Sequence, residues 1–192
     1  MSSLRIGGGD PGFANVGFGV LDLFAVGGSD LLATKLVVTT KGKGKIKVGV
    51  DERRRLREIE DAFIEFIDKW KPDVWAMEEP GKCLMKRGGQ WVTNPTLLRT
   101  SCLMWGSVSG VCRARGIYIV QYTSQAIKKM ICGSNKASKL DMQKEIKSRY
   151  GDYVSWTKSK KVEHEVDAVG AAITAFKEPF VMALMRKLES VA

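Results

Sequence analysis

Residues 5–20 of the chain read RIGGGDPGFANVGFGV, which is an apolar segment, a turn and a second apolar segment. The turn, Asp10-Pro11-Gly12, has a composition typical of tight turns. This pattern predicts a short buried strand over residues 4–9 and a second strand over residues 15–24. A third strand is predicted over residues 31–40. Because the connections are too short for a crossover, the three strands should form an antiparallel meander.

The rest of the chain is predicted to alternate helices with strands. Apolar residues recur at helical spacing over residues 51–70, and a buried strand follows over residues 73–77. The other predicted elements are a helix over 94–115, a strand over 117–122, a helix from 123 or 124 to 131, a helix from 138 or 139 to 150, and a last well-marked helix over 164–176 that ends before Pro179. We therefore predict an α/β fold with a mixed five-stranded sheet, three antiparallel strands and then parallel ones, and helices on both faces. No repeat or linker divides the chain, so one domain over residues 1–192 is expected.

Two segments are predicted to be loops. Residues 41–47 read KGKGKIK, and this basic segment is either an arm that contacts phosphates or a solvated surface loop. Residues 81–93 are polar, glycine-rich and basic, and they are interpreted as a mobile loop.

The composition restricts the partners more than the fold. The formal net charge is +10 and the isoelectric point is near 9.5. Nucleic acid is the commonest polyanion that rewards such a charge, although a soluble basic protein without that partner stays an open interpretation. The chain has no apparent signal peptide and no apolar run long enough to span a bilayer, so we expect a cytoplasmic protein that does not contact membranes.

The cysteines do not indicate a metal site. None forms a C-x-x-C pair and the chain has one histidine, so the pattern does not favour zinc and is typical of reduced cytosolic thiols. The four cysteines are Cys83, Cys102, Cys112 and Cys132.

Four acidic or imidazole side chains stand where a strand ends or a helix starts. Asp10 follows the first strand, and Glu78 follows the apolar run of residues 74–77. Glu79 competes with Glu78, because side chains alternate along a strand and only one of the two can point to a given face. His164 and Asp167 are three residues apart, so they share a face of the predicted helix. If the strands pair as predicted, Asp10, Glu78, His164 and Asp167 can meet in one cleft.

Carboxylates in such a cluster suit Mg²⁺ or Mn²⁺, which prefer oxygen ligands. Two such ions about 4 Å apart can activate a water and stabilise the leaving oxygen of a phosphodiester. His164 could either bind an ion or carry a proton, and the sequence leaves both roles open. A carboxylate cluster on a basic chain therefore predicts metal-dependent cleavage of nucleic acid.

Three motifs resemble the RuvC family of Holliday-junction resolvases, within the ribonuclease-H-like superfamily. RIGGGDPGFANVGFGV resembles the opening strand of the family, with Asp10 at the first acidic position. DVWAMEEP over residues 73–80 resembles the second acidic strand and selects Glu78 over Glu79. HEVDAVGAAIT over residues 164–174 resembles the carboxyl-terminal motif, with His164 and Asp167 at its two site positions.

The resemblance implies further properties. A fourth segment, QAIKKMICGSNKASKLDMQ over residues 125–143, is similar to the family segment in which two lysines contact the DNA backbone, which would be Lys128 and Lys139. Lys139 also stands at a predicted helix start, where backbone N–H groups favour phosphate. The family implies a Mg²⁺-dependent endodeoxyribonuclease with two ions per site, acting as a homodimer that nicks two opposed strands of a four-way junction. The predicted helix over residues 94–115 is either the dimer interface or core.

The chain departs from the family pattern in two places. Gly7-Gly8-Gly9 stands where the family usually carries a bulkier residue just before the aspartate. The segment after Glu78 lacks the phenylalanine with which family members wedge open the junction, and Leu84, Met85 or Trp91 could replace it. The basic segment 41–47 also looks like an addition, as in a phage or otherwise divergent branch.

Three alternatives stay open from the sequence. A nuclease of the same superfamily could act on flaps, branched replication DNA or RNA–DNA hybrids. The chain could instead bind junctions without cutting them. A nucleotide-binding phosphotransferase with an actin-like fold also has an Asp-x-Gly turn, but it needs two lobes, for which this chain is short.

Overall fold

The computed structural model describes residues 2–25, 27–81, 83–151 and 154–190. Within these residues the chain forms seven strands and six α-helices. The strands are β1 (Ser3–Asp10), β2 (Asn15–Phe24), β3 (Ser29–Val38), β4 (Val74–Glu78), β5 (Leu84–Arg87), β6 (Gln90–Thr93) and β7 (Tyr118–Tyr122). The helices are α1 (Val48–Trp70), α2 (Pro95–Ala114), α3 (Ser124–Cys132), α4 (Lys139–Tyr150), α5 (Val162–Thr174) and α6 (Pro179–Glu189), with a 3₁₀ turn over Ala175–Lys177 between the last two.

Five strands form one mixed sheet in the order β3-β2-β1-β4-β7. The first three strands are antiparallel, β4 runs parallel to β1, and β7 runs parallel to β4. The predicted fold class and the meander are therefore confirmed. Since β1, β4 and β7 run in the same direction, their carboxyl ends lie at one edge of the sheet, where Gly9 is in register with Met77 and Glu78 with Tyr122.

One face of the sheet packs against α5, which is almost fully buried. Glycines of β1 and β2 make this packing close. A Cβ atom at Gly8 would lie 2.0 Å from the Ala168 carbonyl oxygen, and one at Gly17 would lie 1.8 Å from the His164 carbonyl oxygen. Any larger residue would therefore push α5 away. The glycines fix the first turns of α5 against the ends of β1 and β2.

The other face packs against α1 and α2 around an aromatic cluster of Phe18, Phe63, Phe66 and Trp75. Trp75 accounts for the glycines that precede Asp10, where the family usually carries a bulkier residue. A Cβ atom at Gly7 would lie 2.2 Å from the Trp75 ring, and one at Gly9 would lie 3.2 Å from it. The indole of β4 thus fills the space that a bulkier residue of β1 would need.

The predicted helix over residues 94–115 is partly core and partly surface. Met104 and Val108 are buried on the side that faces the aromatic cluster, whereas Leu97 and Leu98 are exposed. Asn94 caps α2 by accepting a hydrogen bond from the Leu97 N–H at 3.1 Å. Met104 and Val108 therefore give the helix a part in the core, and its part in a dimer interface stays a prediction.

Two predictions about elements were wrong. Residues 81–93 were expected to be a mobile loop, but the described part contains the antiparallel hairpin β5–β6, with Gly88 and Gly89 at positive φ in its turn. The hairpin escaped the sequence pattern because seven of its eight strand residues are exposed, so no burial alternation marks it. The helix over 164–176 was expected to be the last well-marked one, but α6 follows it. Pro179 begins that helix, where its missing N–H costs nothing, and does not mark an end.

Smaller differences concern boundaries and cysteines. α1 begins at Val48, three residues before the predicted start, and residues 41–47 contain no helix or strand, as expected. All four cysteines are free thiols, and burial raises the pKa of Cys112 to about 12. Among the described residues no single helix is long and apolar enough to cross a membrane. Only α5 and α6 taken together, bent by 67° at their junction, reach that length and composition.

Candidate active site

The candidate site lies at the edge of the sheet where β1 and β4 end. Asp10 is the last residue of β1, Glu78 is the last residue of β4, and His164 and Asp167 lie in the first turns of α5. Carboxyl ends of adjacent parallel strands meet at one sheet edge, and that edge is where α/β proteins place ligands. The packing of α5 on Gly17 brings the helix start to the same edge. All four predicted site residues are therefore together.

His164 and Asp10 form the closest contact of the site. His164 Nδ1 lies 2.5 Å from Asp10 Oδ2, and both side chains are less than one-fifth exposed. The hydrogen bond to Asp10 is the main cause that raises the pKa of His164, against the opposing effect of burial. With its hydrogen on Nδ1 the imidazole donates to the Asp10 carboxylate. The other ring nitrogen, Nε2, lies 3.9 Å from Glu163 Oε1.

Asp167 and Glu78 hold their protons more tightly than ordinary carboxyl groups. Burial, followed by the charges of Asp10 and Glu78, raises the pKa of Asp167 to about 7. Burial and the charge of Asp10 also raise the pKa of Glu78, opposed by the Ser124 hydroxyl and two lysines. Three carboxyl groups thus share a small, partly desolvated volume. A cation bound among them would favour their ionised forms.

The structure separates Glu78 from Glu79. Glu78 is half-buried and lies close enough to Asp10 for the charge of Asp10 to raise its pKa, whereas Glu79 is exposed. The Glu79 backbone N–H donates to the Tyr122 carbonyl at 2.8 Å, which extends the pairing of β4 with β7. The strand therefore turns the first glutamate of the pair to the site.

The two predicted DNA-binding lysines flank the cluster. Lys139 forms an ion pair with Glu163 at 2.9 Å, and that hydrogen bond raises the pKa of Lys139. Lys128 is half-buried, and its charge is among those that lower the pKa of Glu78. At the start of α4, where backbone N–H groups were expected to favour phosphate, Ser138 and Asp141 form a capping box. The Asp141 N–H donates to Ser138 Oγ, and the Ser138 N–H donates to Asp141 Oδ2.

Sequence reasoning missed two neighbours of the site, Glu163 and Ser124. Glu163 precedes His164 and pairs with Lys139, and Ser124 begins α3 directly after β7. Ser124 could have been predicted as a neighbour of the site, because it is a polar residue just after β7 and the carboxyl ends of β1, β4 and β7 share one edge of the sheet. Glu165 belongs to another environment, because it is buried and accepts a hydrogen bond from Thr34 Oγ1 at 2.8 Å.

The donor set fits a hard divalent cation. Asp10, Glu78 and Asp167 provide carboxylate oxygens, the ligands that Mg²⁺ and Mn²⁺ prefer, and the raised pKa values show that negative charge here lacks compensation. Within the described ranges no group of three or more histidine, cysteine or acidic side chains is arranged to hold an ion as it stands. One of the candidate ligand oxygens, Asp10 Oδ2, is in contact with His164 Nδ1.

Solved structures define the class of fold. The chain is similar to Thermus thermophilus RuvC in complex with a Holliday junction substrate, with a TM-score of 0.69, 20% identity and coverage of 89% of this chain and 92% of that one. It is also similar to the yeast mitochondrial Holliday junction resolvase, with a TM-score of 0.59, 13% identity and coverage of 98% and 82%. The fold is therefore that of the RuvC-like resolvase structures.

Sequence comparison defines the family. The family model for crossover junction endodeoxyribonuclease RuvC matches residues 6–175. A Prochlorococcus marinus (strain AS9601) relative described as a crossover junction endodeoxyribonuclease RuvC is 30% identical over 177 residues, covering 91% of this chain and 98% of the relative. A second, from strain MIT 9312, is 31% identical over 175 residues with the same coverage. The chain belongs to the RuvC family, which confirms the resemblance found in its motifs.

Proposed function

We propose that the chain is a metal-dependent endodeoxyribonuclease that resolves four-way DNA junctions. One observation carries this proposal: Asp10, Glu78 and Asp167 meet with His164 at one sheet edge in a member of the RuvC family. The curated relatives are described as crossover junction endodeoxyribonucleases, and one similar structure is a complex with a Holliday junction substrate. The net charge of +10 suits a polyanionic substrate.

Asp10, Glu78, Asp167 and His164 would hold two divalent ions, Mg²⁺ or Mn²⁺. When bound, such ions supply an activated water and stabilise charge on the phosphodiester. Burial excludes water around Asp167 and strengthens its electrostatic interactions with anything bound. His164 orients Asp10 through Nδ1, and its Nε2 remains available to bind an ion or to move a proton.

The proposal also assigns residues that contact DNA and a dimeric state. Lys128 and Lys139 would contact phosphates beside the scissile bond, Lys139 after releasing Glu163. A homodimer would present two such sites to the two opposed strands of a junction, whose symmetry a two-fold dimer matches. The exposed leucines of α2 offer an apolar surface for that contact. A single nuclease domain is the simplest organisation for these parts.

The test compares neighbouring glutamates. Glu78→Gln removes a carboxylate from the cluster, so we expect cleavage of a labelled four-way junction to fall at least ~100-fold in Mg²⁺ or Mn²⁺, as for the loss of one group that stabilises a transition state. Glu79→Gln makes the same chemical change one residue away on the exposed face, and its cleavage rate should stay within about twofold of wild type.

The same assay separates the alternatives. Flap DNA and an RNA–DNA hybrid are incubated beside the junction, with and without divalent metal. If flap DNA or the hybrid is cleaved faster than the junction, that nucleic acid is the preferred substrate. If the wild-type protein binds the junction without nicking it, the chain is a junction-binding protein and not a nuclease. Equal activity of the two glutamine variants would refute the site assignment.

A further inference from the structure

A second charged surface lies beside the site and has no part in the chemistry above. It consists of the loop over residues 41–47 and the first turns of α1, and we call it the basic arm. Its six exposed basic side chains that are outside ion pairs are Lys41, Lys43, Lys45, Lys47, Arg53 and Arg57.

The basic arm holds most of the uncompensated charge of the chain. Residues 41–57 carry eight basic and two acidic side chains, a net charge of +6 out of the total of +10. The two acidic groups are already paired, since Asp51 binds Arg54 at 2.7 Å and Glu52 binds Arg99 at 2.6 Å. None of the six basic-arm side chains forms an ion pair or hydrogen bond with another described residue. Their charge is therefore free for a partner.

The loop is anchored at its base. The Gly42 N–H donates to Asp51 Oδ1 at 3.0 Å, and Arg54 Nη2 donates to the Thr40 carbonyl at 2.7 Å. These contacts tie the loop to the first turn of α1. The lysines therefore project from a fixed base, which lowers the entropic cost of ordering them on a ligand.

A buried arginine connects this base to the catalytic edge. Arg55 donates to Thr39 Oγ1 at 2.9 Å and to the Phe13 carbonyl at 3.0 Å, and its guanidinium lies 4.6 Å from the centre of the Phe13 ring. Phe13 belongs to the turn that follows Asp10, and the Thr39 N–H donates to the Ala14 carbonyl at 2.9 Å. The basic arm thus starts at the same edge of the sheet as the carboxylates.

The positive charge of the basic arm ends within α1. Beyond Arg57 the exposed side of α1 turns acidic at Glu58 and Asp61, and Glu58 pairs with Arg54. Positive charge is therefore concentrated on the part of α1 nearest to the site. A four-way junction sends duplex arms outward from the centre where cleavage occurs, so phosphates must pass over the surroundings of the site.

We infer that the basic arm binds the phosphate backbone of one duplex arm of the branched DNA, outside the cleavage site and without reading sequence. The inference rests on the proposed function for the identity of the ligand. Its contribution is electrostatic, because lysines on a glycine-containing loop contact phosphates through charge and release counterions.

The test replaces Lys41, Lys43, Lys45 and Lys47 by glutamine together. Binding of a four-way junction is measured without divalent metal at several salt concentrations, so that no cleavage occurs. Each lost phosphate contact should lower the slope of log affinity against log salt by about 0.9. We expect the slope to fall by about 2–4 and the affinity at about 0.1 M salt to fall roughly 10- to 100-fold.

A control variant removes the same charge elsewhere. Lys71, Arg113, Arg186 and Lys187 are exposed and make no side-chain ion pair with the described residues, and their joint replacement by glutamine should change the slope by less than about 1. Equal losses in the two variants, or none in the basic-arm variant, would overturn the inference.

Two further measurements separate this inference from the proposed function. On a junction whose arms are cut to a few base pairs, wild type and basic-arm variant should bind alike, and a persistent difference would contradict contact with a duplex arm. With saturating protein and Mg²⁺, the basic-arm variant should cleave bound junction at the wild-type rate. Failure of wild type to cleave would refute the function, whereas the salt slopes test the basic arm by themselves.

Discussion

Asp167 occupies an unfavourable position for a charged group. It is largely buried beside Asp10 and Glu78, and the pKa of about 7 means that its ionised form is disfavoured in the folded chain. In the unfolded chain the same carboxyl ionises near its ordinary pKa of 3.8. The folded state without metal therefore binds a proton that the unfolded state has lost, over the range from about pH 4 to about pH 7.

This difference predicts that Asp167→Asn stabilises the metal-free protein at neutral and higher pH. Below pH 4 both states hold the proton and the variant should gain nothing, and the advantage should grow as pH rises and level off above pH 7. Each pKa unit between 3.8 and about 7 contributes about 1.4 kcal/mol, so we expect a gain of up to about 4 kcal/mol at pH 8. For a domain of this size that is roughly 8–16 °C in Tm. Thermal unfolding in a chelator between pH 4 and pH 8 measures it.

The exposed Glu79→Gln variant serves as the control, with a flat response expected across the same range. Added Mg²⁺ should raise the Tm of the wild type more than that of Asp167→Asn, because the ion offsets the repulsion that the variant has lost. An Asp167→Asn protein that is less stable than wild type at pH 8 would contradict the raised pKa.

At the scale of elements, the strands of the hairpin β5–β6 are the least buried strands of the described chain, and the hairpin is the next element after β4, which carries Glu78. Lys86 faces Trp91 across the hairpin, with its ammonium 5.2 Å from the indole, and Trp91 is 65% exposed. Leu84 lies on the same side, whereas Met85 pairs with Val92 on the other side. Of the three residues that could replace the family phenylalanine, Trp91 is the most exposed and is the aromatic one.

We predict that Trp91→Ala weakens opening of the junction centre. Stacking of one base on an aromatic ring contributes about 1–3 kcal/mol, so cleavage at subsaturating protein should fall roughly 5- to 150-fold. A fluorescent base analogue at the crossover should also lose the signal of unstacking. Met85→Ala removes an apolar side chain from the opposite face and is the matched control. Equal effects of the two variants would assign the role to the hairpin as a whole and not to Trp91.

The elements that could be predicted from sequence are those that carry buried apolar residues on at least one face. β2 and β4 carry buried apolar residues on both faces of the sheet, β1 carries them on the face covered by α5, and α1 carries them at helical spacing on its buried side. The hairpin has no such side and was missed. α6 was missed for a different reason, since a proline at the first position of a helix was interpreted as the end of the preceding one. The spacing of apolar residues thus predicts elements that are buried, and it does not predict an exposed element such as the hairpin.

At the scale of the whole molecule, α2 presents leucines that the described chain does not cover. Leu97 and Leu98 are each 45% exposed, and Leu103 is exposed on the same helix. These exposed leucines give α2 apolar surface that is available to a partner. The partner that we propose for this surface is a second copy of the chain, because a two-fold dimer matches the symmetry of a four-way junction.

We therefore predict that the wild-type protein sediments at about twice 21.2 kDa and that Leu98→Asp shifts it to the monomer, because a charge buried in the interface lacks compensation. The monomer should nick a junction once where the dimer nicks opposed strands in pairs. Leu140→Asp, at a 74% exposed leucine of α4, should remain dimeric. A wild-type protein that sediments as a monomer would refute the assembly.

The sequence by itself determined the strand order of the meander, the parallel strands after it, and the identity of Asp10 and Asp167 as site candidates, because burial periodicity and turn chemistry are local properties. It left Glu78 and Glu79 to be separated by family resemblance. Only the tertiary structure decided the direction of Glu78, the contact of His164 with Asp10, and the raised pKa of Asp167. These depend on how closely α5 approaches the glycines of β1 and β2, and that distance exists only when residues more than a hundred positions apart are packed together.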